Sequence, residues 1–123
     1  MLVEDNTEVR DMAQAILQQH GYTVLVAANG HEALQHGAQH DGPIHLLLTD
    51  VVMPGMSGRE LADRLVRLRP EIHALYMSGY TDDALSHHGV LDSGTILLPK
   101  PFTPHGLLQK VREVLHTVHT GGR

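Results

Sequence analysis

The sequence contains no cysteine and no tryptophan, and phenylalanine occurs only once. Without cysteine, the chain can form neither a disulfide framework nor a thiolate metal site. No apolar run approaches the roughly 20 residues that a membrane-spanning helix needs. The apolar start Met1–Val3 turns acidic at once, which argues against a secretory signal. We therefore expect no direct membrane contact and a cytoplasmic location, although a longer parent protein could be membrane-anchored.

Positive charge is also scarce. Nine Lys and Arg residues stand against 14 Asp and Glu residues, which gives a formal net charge of -5 with histidine neutral. Because nucleic-acid binding depends on concentrated positive charge, we predict no nucleic-acid partner. With 123 residues, of which 41% are hydrophobic, the chain has the size and composition of one compact domain. We expect this domain to cover residues 1–118 and to be followed by a polar tail, 119–123.

Short apolar segments alternate with amphipathic segments five times along the chain. The predicted strands are Met1–Glu4, Tyr22–Ala27, Ile44–Thr49, Ile72–Met77 and Thr95–Leu98. The predicted helices begin near Asn6 or Thr7, Asn29, Ser57, Asp82 and Thr103. Five repeats of strand and helix predict a parallel sheet that carries helices on both faces.

Polar residues follow four of the five predicted strands. In parallel sheets of this kind, ligands bind outside the carboxyl ends of the strands. The residues at these ends are Glu4 and Asp5, Asp50, Ser78 and Lys100. Crowded carboxylates repel one another unless a cation or protons intervene, and a site built only of oxygen ligands suits Mg²⁺. A lysine and a hydroxyl beside them are suited to bind phosphoryl oxygens.

This set of residues indicates phosphoryl transfer to a carboxylate. Asp50 acting as a nucleophile would form an acyl phosphate, and a bound metal would neutralise the charge that develops on the transferred group. Lys100 would pair with a phosphoryl oxygen, and Ser78 would donate a hydrogen bond to it. Each residue alone is more readily explained as a cap or turn residue, so the prediction rests on their combination.

Four segments also carry a family resemblance. They are Leu2–Asp5, Thr49–Gly58, Met77–Tyr80 and Leu98–Phe102. Through them the sequence resembles the receiver domain of response regulators over essentially its whole length. The resemblance implies an α/β, flavodoxin-like fold, a doubly wound (βα)5 arrangement around a five-stranded parallel sheet of order 2-1-3-4-5.

The resemblance also implies a metal site and a phosphoacceptor. Asp50 would be the residue that accepts the phosphoryl group. Glu4, Asp5, Asp50 and the backbone carbonyl of Val52 would hold Mg²⁺, for which Mn²⁺ could substitute.

A second group of residues would bind the phosphoryl group and transmit its presence. Ser78 would be the switch hydroxyl and Lys100 the phosphate-binding lysine, with a cis bond between Lys100 and Pro101. The family usually has an aromatic residue three positions before this lysine, where this sequence has Leu97. The coupling between phosphorylation and the conformational change would then depend on another group such as Tyr80, or the conformational change would be weaker.

The segments Met77–Asp83 and Pro99–Pro104 are similar to receivers attached to bacterial hybrid sensory-box histidine kinases. The expected partner is therefore a histidine kinase core or a histidine phosphotransfer domain. The alternative is that the parent protein is a single-domain response regulator. The resemblance also suggests a homodimer through the face formed by helix 4 (82–88), strand 5 and helix 5. Such a domain catalyses its own phosphorylation but is not a turnover enzyme.

Three other functions compete with this reading. An aspartyl-phosphate phosphatase needs a second acid two residues after the nucleophile, where this chain has Val52. A flavodoxin-like electron carrier would need to bind a flavin phosphate near Glu4 and Asp5, which would repel it. A degenerate receiver that serves only as a docking module remains open because of Leu97.

The residues expected to flank the phosphoryl site are bulky. Val52 and Tyr80 take positions where other receivers carry small or carboxamide side chains. We therefore predict that attacking water is hindered and that the phosphoryl group is lost slowly.

Overall fold

The computed structural model describes residues 1–78 and 97–121, with side chains described as far as Leu115. Five strands form one parallel sheet in the order β2-β1-β3-β4-β5. The strands are β1 (Leu2–Val3), β2 (Val26–Ala27), β3 (Leu46–Asp50), β4 (His73–Ser78) and β5 (Leu97–Pro99). The predicted fold class and strand order are confirmed.

Four helices are described, and each one begins at a predicted residue. They are α1 (Thr7–Gln19), α2 (Gly30–Gln39), α3 (Gly58–Leu68) and α4 (Pro104–Gly121), the last of which is the fifth helix predicted from the sequence. Side-chain oxygens of the residues that precede these helices accept from backbone N–H groups three positions later, as N-caps do. The capping residues are Asn6, Asn29, Ser57 and Thr103.

Two apolar cores cover the two faces of the sheet. On one face, α2 and α3 pack over a cluster that includes Val3, Ala33, Leu47, Leu61, Leu65 and Tyr76, which we term the α2/α3 core. On the other face, α1 and α4 pack over Leu2, Ile16, Leu48, Leu75, Leu107 and Val111, the α1/α4 core. Because β3 contributes neighbouring leucines to opposite cores, it reads as a continuous apolar run rather than an alternating one.

The first two strands are shorter than predicted. Prediction placed them at Met1–Glu4 and Tyr22–Ala27, whereas β1 has two residues and β2 pairs only through Val26 and Ala27. The cause is the partner strand: β2 lies at the edge of the sheet and pairs only with β1. The ladder between β1 and β2 contains two pairs, Leu2 with Val26 and Val3 with Ala27, and just before it the N–H of Leu2 donates to the carbonyl of Leu25.

Arg69 fixes the connection between α2 and β3. Its guanidinium donates to the carbonyl oxygens of Gly37 (2.7 Å), Gly42 (2.6 Å) and His40, and its Nη1 lies 3.4 Å from a carboxylate oxygen of Glu71. The end of a helix leaves carbonyl groups without partners within the helix, and Arg69 supplies donors to this region from 27 to 32 residues away.

Two sequence-based predictions lie outside the described residues. These are the helix over 82–88 and the glycine-containing segment Gly89–Gly94. At the other end of the chain, α4 continues to Gly121, and the domain boundary at residue 118 stays a prediction. Within the described ranges, no helix is both long and apolar enough to cross a membrane.

Candidate functional site at the carboxyl edge of the sheet

The polar residues predicted at the strand ends lie at one edge of the sheet. Glu4 follows β1, Asp50 is the last residue of β3, Ser78 is the last residue of β4, and Lys100 follows β5. Parallel strands end at the same edge, so residues far apart in the sequence come together here.

The carboxylates of Glu4, Asp5 and Asp50 form the centre of the site. Each offers one oxygen atom, and these three oxygens all lie within 4.8 Å of one another. Glu4 is fully buried, Asp50 is 5% exposed and Asp5 is exposed. Asp5 is therefore the carboxylate of the cluster that is most exposed to solvent.

Lys100 joins two of these carboxylates. Its Nζ donates to Oε1 of Glu4 at 2.7 Å and forms a second ion pair with Oδ1 of Asp50. The backbone N–H of Lys100 donates to the carbonyl of Ser78 at 2.9 Å, and the Lys100–Pro101 bond is cis. One ammonium group thus partly offsets the negative charge of three carboxylates.

The start of α1 holds the acidic pair in place. The N–H of Asn6 donates to Oε2 of Glu4 at 3.1 Å, and Nη1 of Arg10 donates to the backbone carbonyl of Glu4 at 2.8 Å. Sequence reasoning missed Arg10. Its signal was a basic residue close to a helix N-terminus, where the helix dipole favours acidic residues instead.

The loop after β3 folds back tightly against Asp50. The N–H of Gly58 donates to the carbonyl of Val51 at 2.8 Å, and a Cβ atom on Gly58 would overlap the carbonyl oxygen of Asp50. The buried hydroxyl of Thr49 also donates to that carbonyl, at 3.0 Å. Glycine at the start of α3 therefore allows the helix to begin directly beside Asp50.

The pKa values of Asp50 and Glu4 are shifted in opposite directions. Burial, followed by the hydrogen bond with Glu4, raises the pKa of Asp50 to about 8 against the opposing effect of Lys100. Burial also acts to raise the pKa of Glu4, but hydrogen bonds from Asp50, Lys100 and the N–H of Asn6 lower it to about 2. When no metal is bound, these opposite shifts favour the protonated form of Asp50 and the ionised form of Glu4.

The remaining two titratable groups of the site are shifted in the same direction. Burial and the neighbouring Glu4 raise the pKa of Asp5. Burial acts to lower the pKa of Lys100, but Asp50 and Glu4 outweigh it and raise that pKa. The lysine is therefore a permanent cation in this site.

The predicted switch residues are only partly within the described chain. Leu97 pairs with Tyr76 in the register of β4 and β5 and packs against the α2/α3 core. Ser78 is half-buried at the end of β4, and Val52 is 57% exposed in the loop after β3. Tyr80 lies outside the described residues.

A model of one protein family matches this chain. It is described as the response regulator receiver domain, and the match covers residues 1–112. This chain belongs to that family. It is a receiver domain of two-component signalling systems, a class of domain that interacts with histidine kinases or phosphotransfer proteins. Receiver domains generally bind Mg²⁺ through acidic residues, and the structure contains a cluster of this kind.

Individual relatives of this receiver domain differ in size. The sensor kinase CckA of Brucella abortus is 39% identical over 115 residues, which make up 94% of this chain but 12% of the kinase. The response regulator receiver protein CpdR of the same species is 31% identical over 115 residues, and the match covers 94% of both chains. The receiver domain thus resembles both a small part of a large kinase and a whole small protein.

A solved structure of similar fold is a CheY-like response regulator receiver domain protein from Methanospirillum hungatei. Its TM-score is 0.79 at 28% sequence identity, and the match covers 98% of this chain and 94% of that one. The doubly wound arrangement described above is therefore the arrangement of known receiver domains.

Proposed function

We propose that this receiver domain accepts a phosphoryl group from a phosphohistidine onto Asp50. One observation carries the proposal: the buried Asp50 lies in a cluster with Glu4 and Asp5 whose carboxylate oxygens are within 4.8 Å of one another, and the ammonium of Lys100 contacts it. A nucleophilic Asp50 would thus have a cation and a set of oxygen ligands for a metal ion beside it.

The transfer would proceed by in-line displacement. A carboxylate oxygen of Asp50 attacks phosphorus while the bond from phosphorus to the donor's imidazole nitrogen breaks. The electron pair of that bond stays on the imidazole, and an acyl phosphate forms on Asp50. Since such transition states are loose, positioning and electrostatics supply most of the rate enhancement.

The donor set fits Mg²⁺, with Mn²⁺ as a substitute. Carboxylate oxygens of Glu4, Asp5 and Asp50, together with the backbone carbonyl of Val52, would hold the ion, and all of these are hard oxygen ligands. When bound, the ion supplies charge neutralisation for the phosphoryl oxygens and a cation in the carboxylate cluster. Asp50 must lose its proton to act as a nucleophile, and a cation beside it favours that ionised form.

Lys100 and Ser78 would hold the product. The Lys100 ammonium already lies against Asp50, so it can pair with a phosphoryl oxygen attached there. The Ser78 hydroxyl would donate to another oxygen and draw its loop towards the site. Leu97 and Tyr80 would transmit this movement. One consequence would be a homodimer through the face that contains residues 82–88, β5 and α4.

The parent protein that we favour is a hybrid histidine kinase, with a single-domain response regulator as the alternative. The 39% identity to a sensor kinase supports the first, and the matched length of CpdR supports the second. In either case the partner would be a kinase core or a histidine phosphotransfer domain. Because those donors obtain their phosphoryl group from ATP, we infer a cytoplasmic location.

Intact-mass spectrometry after incubation with acetyl phosphate tests the proposal. We expect a gain of one phosphoryl group that requires Mg²⁺ and disappears in Asp50→Ala. The matched control is Asp63→Ala, which removes an exposed carboxylate on α3 and should leave labelling unchanged. If the wild type binds Mg²⁺ but gains no phosphoryl group from either acetyl phosphate or a phosphohistidine donor, the domain is a docking module instead.

A further inference from the structure

A cation on the first turn of α1 contacts the peptide bond between the two acidic residues of the site. Nη1 of Arg10 lies 2.8 Å from the backbone carbonyl oxygen of Glu4, six residues earlier in the chain. Arg10 is half-buried, and long side chains of a helix lean towards the helix N-terminus. A side chain on the first turn of α1 therefore reaches the residues that precede the helix.

The charge of Arg10 does not explain its position. Positive charge near a helix N-terminus is unfavourable, because that end of the helix dipole is itself positive. The guanidinium also donates to a carbonyl oxygen rather than to a carboxylate of the cluster, where charge-assisted hydrogen bonds would be stronger. The contribution of Arg10 therefore lies in its contact with the backbone.

Each polar group of Glu4 has a partner. Its N–H donates to the carbonyl of Ala27 at 3.1 Å, and its carbonyl accepts from Arg10. One carboxylate oxygen accepts from the ammonium of Lys100 at 2.7 Å, and the other accepts from the N–H of Asn6 at 3.1 Å. Glu4 is also fully buried, so both its backbone and its side chain are held in place.

Asp5 is the carboxylate whose placement depends most on the backbone. It is exposed, so packing restricts its side chain less than it restricts those of Glu4 and Asp50. The carbonyl of Glu4 and the N–H of Asp5 belong to one planar peptide unit, which moves as a whole. A donor that fixes the Glu4 carbonyl therefore also fixes the direction in which the chain enters Asp5.

We propose that Arg10 is a positioning residue of the metal site: by holding the Glu4 carbonyl, it fixes the peptide unit from which Asp5 presents its carboxylate to Mg²⁺. The inference rests on the proposed function, because it takes Glu4 and Asp5 as ligands of the ion. Groups that orient metal ligands without touching the metal are worth roughly 10- to 100-fold in metal affinity.

Arg10→Met separates positioning from charge. Methionine has a helix propensity close to that of arginine, so α1 should persist. The affinity for Mg²⁺, measured by NMR shift titration, should fall about tenfold. If charge dominated, the affinity would rise instead, because a neighbouring positive charge repels the ion. Arg64→Met is the matched control, since it removes an equal charge from an exposed pair on α3 and should leave the affinity unchanged.

Two further measurements concern Asp5 itself. In metal-free Arg10→Met, the ¹⁵N order parameter of the Asp5 amide should fall from about 0.85, the value of rigid backbone, towards about 0.6. In an Asp5→Ala background, Arg10→Met should weaken Mg²⁺ binding no further, because no Asp5 carboxylate remains to be misplaced. A weakening that appears only when Asp5 is present would assign the effect of Arg10 to that residue.

Arg10→Lys provides a conservative comparison. It keeps the charge but replaces the planar guanidinium with a rotatable ammonium, so its Mg²⁺ affinity should lie between those of the wild type and Arg10→Met. If Arg10→Met does not fold, Arg10→Lys decides the question, and wild-type affinity in that variant would contradict the proposal.

The outcomes distinguish this inference from the proposed function. An affinity in Arg10→Met equal to or above that of the wild type would overturn the inference alone, as would equal weakening in the Asp5→Ala background. A wild type that binds no Mg²⁺ would overturn the proposed metal site and the inference with it. Weakened binding in Arg10→Met without acetyl phosphate labelling of the wild type would support the inference and contradict phosphorylation of Asp50.

Discussion

The ammonium of Lys100 lies 2.7 Å from Oε1 of Glu4, a residue 96 positions earlier in the chain. The two residues follow β5 and β1, which are separated in the sheet by β3 and β4. The Lys100 side chain therefore extends along the carboxyl edge of the sheet towards β1. It also contacts Asp50, which ends β3 between β1 and β5. A metal ion and this ammonium group would compete for the same carboxylates.

Lys100→Met should strengthen Mg²⁺ binding while weakening phosphorylation. Loss of the ammonium removes a cation that competes for Glu4 and Asp50, and we expect affinity to rise by roughly tenfold. Titration calorimetry measures this, with Lys110→Met as a control because Lys110 pairs with Glu113 on α4, outside the carboxylate cluster. Unchanged affinity in Lys100→Met would show that the ammonium does not compete with the ion.

The stability of the metal-free protein should depend on the proton of Asp50. The pKa of Asp50 is about 8 in the folded state against 3.8 as the ordinary value, so the native state binds more protons between these pH values. Stability therefore falls as pH rises from about 4 to about 8, by at most about 1.4 kcal/mol per pH unit for one proton.

Asp50→Asn isolates this effect. The amine of Met1, whose pKa is lowered, has the opposite influence between pH 6 and 8, but it contributes equally to both proteins. In urea unfolding with EDTA present, the free energy of unfolding of Asp50→Asn should rise steadily relative to that of the wild type as the pH increases from about 4 to about 8. A constant difference between the two proteins at all pH values would contradict the raised pKa. Added Mg²⁺ should stabilise only the wild type appreciably.

Gly58→Ala should damage both the fold and the acceptor site. A Cβ atom there overlaps the carbonyl oxygen of Asp50, so α3 must move away from β3. We expect a loss of about 2–4 kcal/mol in the free energy of unfolding, together with slower labelling by acetyl phosphate. The control is Gly106→Ala on α4, where the nearest atom to a Cβ is the Thr103 hydroxyl at 3.1 Å, and the effect should stay within about 1 kcal/mol.

Arg69→Ala should destabilise the domain without touching the carboxylate site. Three backbone carbonyls, at the end of α2 and in the loop that follows it, lose a charged donor, and we expect a cost of about 2–4 kcal/mol. Arg64→Ala is the matched control because Arg64 forms an exposed pair with Glu60 on the same helix, worth under about 1 kcal/mol. Chemical denaturation of both variants distinguishes them, and similar losses would refute the role given to Arg69.

Val52→Gly should shorten the lifetime of the phosphorylated domain. Val52 is exposed two residues after Asp50, where its side chain can obstruct a water molecule that attacks the phosphoryl group. Loss of the phosphoryl group, followed by mass spectrometry in the presence of Mg²⁺, should be several-fold faster in the variant. A half-life of only seconds in the wild type would show that Val52 gives no such protection.

The alternation of apolar and amphipathic segments was sufficient to predict the number and order of the elements that the structure describes. The caps of α2 and α3 were predicted to the residue because capping depends on local groups, as with Asn29 and Glu32 or Ser57 and Glu60, whereas Asn6 and Thr7 were left as alternatives for α1. The members of the carboxylate cluster were predicted because parallel strands end at one edge, which places Glu4, Asp50 and Lys100 together once the strands are known.

Only the tertiary structure decided how these groups interact. The ion pairs of Lys100, the backbone contact of Arg10 and the closeness of Gly58 to Asp50 depend on distances between elements, which no local pattern contains. The same holds for the extent of β1 and β2, since an edge strand pairs only as far as its neighbour reaches. The sequence by itself thus determined which strand-end residues meet at the site, because periodicity and capping are local. Packing determined the contacts and the pKa values of these residues, because burial and charge are properties of the assembled fold.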